Sequence, residues 1–306
     1  MSYFDTMEFN IDWLNGVLHS SDVMGFFEFL ESLDKSLSIE HWFKQNSGRY
    51  NYKNRFCYNG QATLQIMWNA LGDYDDTKSM WIADDIHHNP DIFVTFSGDG
   101  LRFLNSLGVL PKLFSFFKQK GFRASRFDVN CDIFEEDNPL VPLIVEAFRF
   151  ALIRQDGTPC ISTHVQRKAK NFIVYENSDI YHNRKSYSVQ LGDHSTRFGM
   201  FRCYDKWLEL KDGRMSGTIG DALLEAKGNP DYWYRLEYEL HKENAADVFN
   251  AFLSGQLNVE GAFAVAADRI FKIVNPVSVV SRLGDPITCP DSPVWLEFME
   301  YVIHFV

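Results

Sequence analysis

The alternation of hydrophobic and polar residues along the chain predicts a series of β-strands with helices between them. Alternation with a period of two, typical of strands, covers residues 7–18, 92–97, 125–134, 187–191, 197–205 and 232–241. Residues 50–67 predict one more hairpin, with Asn59-Gly60 as its turn. Apolar residues recur with helical spacing at residues 23–33, 101–107, 111–119, 140–152, 245–253 and 259–273. A short helix with Trp295 is predicted at the end.

The composition predicts a folded protein without a membrane segment. The chain has 306 residues, enough for one large domain or two ordinary ones, and 27 phenylalanines supply ample core material. No apolar run is long enough to span a bilayer, and the first residues lack the basic start and apolar core of a signal peptide. The cysteines are scattered and without C-x-x-C spacing, which argues against a disulfide framework or zinc site and predicts a reduced, cytoplasmic protein. They are Cys57, Cys131, Cys160, Cys203 and Cys289.

The net charge of −11 argues against a protein that coats nucleic acid indiscriminately, because phosphate contacts need cations. The charge is nevertheless uneven, and basic residues concentrate at 112–126 and at 164–185. A short charge run is usually a solvated face, and selective DNA binding is the alternative. The candidate DNA contacts are Lys112, Lys118, Lys120, Arg123, Arg126, Arg167, Lys168, Lys170, Arg184, Lys185 and Arg197.

Residues 198–209, F-G-M-F-R-C-Y-D-K-W-L-E, contain a candidate nucleophile. Strand alternation places Arg202 and Lys206 on the same face as Tyr204, each roughly 6–7 Å away along the strand. Such neighbours favour a phenolate and attract phosphate, so Tyr204 is a candidate nucleophile towards a phosphodiester. The alternative is a tyrosine on a half-exposed strand beside solvated cations.

Carboxylates on the polar faces of two other strands are candidate metal ligands. Asp128 and Asp132 lie on one of these strands, and Glu237 and Glu239 on the other. If these strands neighbour Tyr204 in a sheet, the carboxylates offer oxygen ligands to Mg²⁺ or Mn²⁺, which would polarise a phosphodiester. Asp128 and Asp132 are roughly 13 Å apart on an ideal strand, too far to share one ion. The alternative is a sheet with one face in water.

Three motifs together resemble the replication initiation factor family. They are S-R-F-D-V-N-C-D at 125–132, a G-x-x-S turn at 192–195 followed by F-R-C-Y-D-K-W-L-E, and W-Y-R-L-E-Y-E-L at 233–240. That family comprises rolling-circle plasmid and phage initiators and related conjugative relaxases, with a catalytic tyrosine in a YDK-type motif and no two-histidine metal motif. The resemblance runs across most of the chain.

The resemblance implies a sequence-specific DNA-nicking enzyme. Tyr204 would attack a scissile phosphate and stay joined to the DNA 5′ end, while Arg202 and Lys206 would hold phosphate charge in the transition state. The implied metal-site carboxylates are Asp128, Glu237 and Glu239, with Asp132 and Glu209 in reserve. The turn departs from the family, because Gly192-Asp193-His194 precedes Ser195 where the family commonly has Gly-Ser-Arg, which removes a cation. Further candidates are Tyr187 as a second nucleophile and His182 and His194 in proton transfer.

We therefore predict an α+β fold with a curved antiparallel sheet backed by helices, followed by a smaller helical C-terminal part. Residues 1–242, including an acidic part at 1–90, form the predicted nicking domain, and residues 243–306 form the helical part. The expected function is metal-dependent nicking that starts rolling-circle replication, or transfer of a plasmid, phage or other mobile element. Expected partners are origin DNA (a single-stranded or hairpin nick site), a host DNA helicase and a second copy of the chain, with no membrane. The alternatives are an inactive origin-binding protein of the same fold and an acidic protein-interaction module.

Overall fold

The computed structural model describes most of the chain between residues 7 and 274. The described ranges are 7–20, 22–45, 52, 54–61, 63–69, 74–75, 80–81, 91–135, 172–181, 184–192, 199–212 and 218–274. The helices predicted at 140–152 and around Trp295 lie outside these ranges, as do Cys160 and Cys289. The other three cysteines, Cys57, Cys131 and Cys203, are free thiols, as the sequence predicts.

Strands and helices alternate along the described chain, largely as the hydrophobic pattern predicts. The strands are β1 Met7–Leu18, β2 Trp42–Lys44, β3 Asn54–Tyr58, β4 Leu64–Trp68, β5 Tyr74–Asp75, β6 Met80–Trp81, β7 Ile92–Ser97, β8 Arg123–Glu135, β9 Phe172–Asp179, β10 Arg184–Gly192, β11 Met200–Asp205 and β12 Tyr232–His241. The α-helices are α1 Val23–Leu33, α2 Gly98–Ser106, α3 Leu110–Gln119, α4 Lys206–Asp212, α5 Thr218–Ala226, α6 Lys242–Ser254 and α7 Val259–Val274. Short 3₁₀ turns occupy Lys35–Leu37 and Ile39–His41.

The chain divides into two compact units. The first, which we call the Tyr204 unit, comprises Met1–Asn10, Val129–His241 and Asn258–Val306. The second, the α3 unit, comprises Ile11–Asp128 and Lys242–Leu257. Helix α6 therefore belongs with the N-terminal strands and α7 with the Tyr204 unit, while the predicted division at residue 242 stays a prediction.

The α3 unit is built on strands in the order β2-β3-β4-β7-β1-β8. The hairpin between β3 and β4 turns at Asn59-Gly60, where both residues have positive φ (46° and 72°), as the dipeptide predicts. Helix α1 begins after Asp22, whose carboxylate accepts a 2.8 Å hydrogen bond from the Gly25 amide. The core of this unit is rich in phenylalanine: Phe117 stacks on Phe122 at 4.3 Å, and α6 adds Phe249 to this cluster.

The Tyr204 unit has the strand order β1-β8-β12-β11-β10-β9, and its described registers are antiparallel. Strand β11 lies between β10 and β12, which makes it an interior strand of the sheet. Helix α7 packs against β12, where the Phe263 ring meets Tyr238 at 5.0 Å between centroids. The predicted α+β class with an antiparallel sheet is confirmed.

Both faces of β8 and of β12 are buried, so the alternative of a sheet with one face in water is wrong for these strands. The side chains predicted to face solvent are at most 8% exposed. They are Asp128, Asn130, Asp132, Arg235, Glu237, Glu239 and His241. Charged groups are buried at acceptable cost when an opposite charge and hydrogen bonds replace water, and most of these side chains have such partners. Within the described residues, no helix is long and apolar enough to cross a membrane.

Candidate active site

Tyr204 lies one residue before the end of β11, where the chain passes directly from strand to helix. Asp205 makes this junction: its Oδ1 accepts a 2.9 Å hydrogen bond from the Leu208 amide, which caps the start of α4. Its Oδ2 accepts a 2.9 Å hydrogen bond from the buried Ser186 hydroxyl of β10. The strand end and the first turn of α4 are therefore tied together immediately after Tyr204.

Two cations flank the Tyr204 ring as predicted, although Lys206 is the first residue of α4 and not a residue of strand β11. The Arg202 guanidinium carbon and the Lys206 Nζ each lie 5.8 Å from the ring centroid. Neither charge stands alone, because Arg202 donates to Glu237 and forms an ion pair with it, and Lys206 does the same with Glu209. The tyrosine is therefore bracketed by two ion pairs.

The Glu237 carboxylate connects these groups. Antiparallel pairing of β11 with β12 sets Arg202 opposite Glu237 and Tyr204 opposite Arg235. The Tyr204 hydroxyl donates a 3.2 Å hydrogen bond to Glu237 Oε2, while Arg202 binds Oε1 of the same group. Glu237 is only 2% exposed. A buried carboxylate therefore stands within reach of the proton that a nucleophilic Tyr204 would have to lose.

The flanking cations were predicted to favour a phenolate, and Arg202 does act in that direction, but the net shift of the Tyr204 pKa is upward. Burial, and then the negative charge of Glu237, raise the pKa of the Tyr204 phenol well above its ordinary value. Arg235 and Arg202 act in the opposite direction, but they do not outweigh burial. The phenol is therefore protonated at neutral pH, and its use as a nucleophile requires an acceptor for the proton.

The four predicted metal ligands are each held by a cationic or histidine side chain. Arg126 donates to both oxygens of Asp128 in the α3 unit, and Arg235 donates to both oxygens of Asp132 at 2.7 and 2.8 Å. Glu237 is held by Arg202, as described above for the tyrosine. A 2.5 Å hydrogen bond joins His241 Nε2 and Glu239 Oε1.

The described residues contain no group of three or more histidine, cysteine, aspartate or glutamate side chains that could hold a metal ion. Asp128 and Asp132 each form an ion pair with an arginine, which occupies the oxygens that a metal ion would need. The described carboxylates therefore do not fit a metal centre in this arrangement. The binding of Mg²⁺ or Mn²⁺ stays a prediction.

Comparison with known proteins finds one solved structure with a similar fold. No protein-family model matches the chain, and no curated protein matches it. Among solved structures, the rolling circle replication initiator protein from Geobacillus stearothermophilus matches with a TM-score of 0.61, covering 97% of each chain. The two chains share one fold. With 16% sequence identity, the likeness establishes a shared fold and assigns no role to an individual residue.

Four of the predicted DNA contacts form an exposed cationic segment on this fold. We call Lys112, Lys118, Lys120 and Arg123 the α3 cations; they lie on α3 or just after it and are all exposed. None of the four has an ion pair within the described part of the chain.

The other predicted contacts are engaged or lie outside the described side chains. Arg126 pairs with Asp128, and its guanidinium lies 4.8 Å from the Trp13 ring centroid. Arg184 and Lys185 begin β10, but their side chains are outside the described residues, and so is that of Tyr187. Outside the described ranges altogether are Arg167, Lys168, Lys170, His182, His194 and Arg197.

Sequence reasoning missed three side chains that build the site. Arg235 was seen only as a polar position, yet it stands opposite Tyr204 and binds Asp132. The role of Asp205 had a local signal, because an aspartate followed by helix-forming residues is a common helix N-cap. Ser186 had no such signal, since its hydrogen bond to Asp205 depends on how β10 pairs with β11.

Replacing Asp132 with alanine should destabilise the protein strongly. The change leaves the Arg235 guanidinium without its bidentate partner in a buried site, and breaking such a pair costs about 3–5 kcal/mol of unfolding free energy. Asp221→Ala is a matched control, because it breaks the exposed Lys211–Asp221 pair, worth about 0–1 kcal/mol. Urea unfolding followed by circular dichroism measures both. Equal losses in the two variants would contradict a stabilising role for the buried pair.

Proposed function

We propose that the protein is a tyrosine DNA nickase that starts rolling-circle replication or the transfer of a mobile element. One observation carries the proposal: the Tyr204 hydroxyl is hydrogen-bonded to the buried Glu237 carboxylate, between two cations. These groups stand in a fold shared with a rolling circle replication initiator protein. That likeness supports a role in replication initiation, and the side-chain geometry supports the cleavage chemistry.

The proposed reaction begins when a DNA phosphate approaches Arg202 and Lys206. The phosphate competes with Glu237 for the Arg202 guanidinium. A guanidinium can donate two parallel hydrogen bonds to a phosphate as well as to a carboxylate. The exchange leaves Glu237 as the acceptor for the Tyr204 proton, and the two cations then stabilise charge on the phosphoryl oxygens.

The bond changes are those of a single transesterification. Tyr204 Oη bonds to phosphorus as its proton passes to Glu237, and the bond from phosphorus to the 3′-oxygen breaks. The departing 3′-oxygen takes a proton from solvent water, and the DNA 5′ end remains on the tyrosine as a phosphodiester. Because that ester retains the energy of the broken linkage, the reverse reaction can rejoin a strand without a nucleotide cofactor.

A denaturing gel tests the proposal directly. The purified protein is mixed with labelled single-stranded oligonucleotides from its own coding neighbourhood, with Mn²⁺ or Mg²⁺ and in parallel with EDTA. We expect labelled DNA to migrate with the protein, and peptide mapping to place it on the peptide that contains Tyr204. Cleavage that persists in EDTA would contradict the metal requirement predicted from the sequence and leave the tyrosine chemistry intact.

Two other outcomes would replace the proposal with its alternatives. Specific origin binding without an adduct at any site would identify an initiator-like protein that no longer cleaves. An absence of both binding and cleavage would favour the acidic interaction module. A host helicase and a second copy of the chain stay proposed partners, to be sought once the DNA target is known.

The α3 cations are proposed to contact the DNA backbone, so their removal should flatten the salt dependence of binding. Each phosphate contact contributes about 0.9 to the slope of log affinity against log salt concentration for duplex DNA. We expect Lys112→Gln with Lys118→Gln to reduce the slope by about one to two. Arg102→Gln is the control, because Arg102 is exposed in the same unit but paired with Asp99. Equal slopes for all three proteins would remove these lysines from the interface.

A further inference from the structure

The tip of the β9–β10 hairpin exposes two large apolar side chains. Ile180 is 74% exposed and Tyr181 is 50% exposed. Within the described residues one other large hydrophobic side chain is comparably exposed, Phe43 at 53%, and it lies in the α3 unit. Single exposed hydrophobic residues are ordinary. Whether the exposure of Tyr181 indicates a functional role therefore depends on its surroundings.

Tyr181 stands against the helix that follows the candidate nucleophile. Its ring meets Trp207 edge to face, with 5.3 Å between centroids and 70° between planes. Trp207 is the second residue of α4 and comes three residues after Tyr204. The exposed ring thus contacts the helix that begins directly after β11, within one compact unit.

Trp207, which contacts the Tyr181 ring, is itself held in place by its neighbours. Trp207 packs on the core cluster of Leu210, Leu224 and Trp233. Lys211 lies 5.6 Å over the Trp207 ring, and its Nζ donates a 2.6 Å hydrogen bond to Asp221 of α5. An aromatic side chain that is half exposed and held from behind loses little conformational entropy when a flat ligand stacks on it.

We propose that Tyr181, backed by Trp207, is a stacking platform for an unpaired base of the DNA strand that Tyr204 cleaves. Proteins that bind single-stranded nucleic acid combine aromatic platforms with cations that follow the phosphates. Tyr181 supplies the aromatic side chain, and two basic residues lie next to the tip by register, since Arg184 pairs with Asp179 and Lys185 with Ser178. The inference rests on the proposed function, since Tyr204 defines which strand is bound.

Binding to single-stranded DNA tests the platform without cleavage. The reference protein carries Tyr204→Phe, and the probe is fluorescein-labelled oligo-dT of about 20 nucleotides, because stacking tolerates any base. We expect Tyr181→Ala in this background to weaken binding between about 5-fold and 150-fold, the range for loss of one stacked base. Tyr181→Phe keeps the ring and should bind like the reference. Phe43→Ala removes an equally exposed ring from the α3 unit and should have no effect.

Several results would overturn the inference. One is unchanged affinity in Tyr181→Ala, and another is an equal loss in Phe43→Ala. A third is failure of the reference protein to bind oligo-dT. A fourth is an equally large loss of affinity for duplex DNA in Tyr181→Ala, which would identify Tyr181 as a general DNA contact. Protein binding at the tip, without DNA binding there, would make the patch a protein-docking surface instead.

Failure of the inference and failure of the proposed function give different results. If wild type forms the Tyr204 adduct but Tyr181→Ala binds oligo-dT normally, the nickase stands and the platform does not. If wild type forms no adduct but Tyr181→Ala loses affinity for oligo-dT, the platform belongs to a single-strand-binding protein that does not cleave.

Discussion

Tyr204→Phe should abolish the covalent protein–DNA adduct while leaving the fold and the DNA affinity nearly unchanged. Phenylalanine has no oxygen with which to attack phosphorus, but it keeps the ring that lies between Arg202 and Lys206. The variant loses one hydrogen bond to Glu237, which keeps its ion pair with Arg202. We expect a stability change of about 1 kcal/mol, the usual net worth of one such bond.

Tyr187→Phe is the control for this experiment. Tyr187 lies on the neighbouring strand β10 and is the other tyrosine that the sequence offers as a nucleophile. A denaturing gel with labelled oligonucleotide should show the adduct in wild type and in Tyr187→Phe, and none in Tyr204→Phe. An adduct that survives in Tyr204→Phe and disappears in Tyr187→Phe would move the nucleophile to β10, and Glu237 would then not be its proton acceptor.

The local part of the site is predictable because strand alternation is local. A period of two places Arg202 and Tyr204 on one face without knowledge of any partner strand, and the Arg202 guanidinium does lie over the Tyr204 ring. Lys206 also lies over the ring, but it does so from the first residue of α4. The helix that follows was not predicted, although Asp205 at an N-cap position is a local signal for it. The α+β class follows from counting such local elements.

The partners of these residues are not predictable because pairing between strands is non-local. Glu237 faces Arg202 only because β12 pairs with β11 in one particular register, and a shift of one residue would turn Glu237 to the other side. Register also places Arg235 opposite Tyr204 and Ser186 near Asp205.

Burial is the second thing that the sequence leaves open. Alternating polar residues on β8 and β12 indicate a solvated face, yet Asp132 and Glu237 are buried against arginine. The error about the phenolate has the same origin. Cations near Tyr204 would lower its pKa in water, but burial raises it further than they lower it.

Glu237→Gln should slow adduct formation by roughly 10²- to 10⁴-fold, the range for removal of a positioned general base. Glutamine keeps the size of the side chain and an oxygen that can accept from Tyr204, but it does not take up a proton near neutral pH. Glu239→Gln is the matched control, because Glu239 lies two residues along the same strand and binds His241 instead. Single-turnover rates of adduct formation, with oligonucleotide binding measured separately, give the comparison.

The control separates a proton acceptor from a metal ligand. If Glu237 accepts the proton, Glu239→Gln should lose far less activity than Glu237→Gln. Equal losses in both variants, together with a weaker response to added Mn²⁺, would instead indicate that the two carboxylates bind one ion. Retention of activity within about tenfold in Glu237→Gln would contradict general-base catalysis by this residue.

The pH dependence of Glu237→Gln distinguishes lost chemistry from lost structure. The charge of Glu237 is one cause of the raised pKa of Tyr204, so the variant should have a lower phenol pKa than wild type. Below that pKa the phenolate fraction grows tenfold for each pH unit, and a phenolate needs no base. The rate of the variant should therefore rise about tenfold per pH unit between about pH 7 and pH 9, closing part of the gap to wild type. A variant that had merely lost its geometry would stay slow at every pH, because hydroxide cannot restore the position of Tyr204.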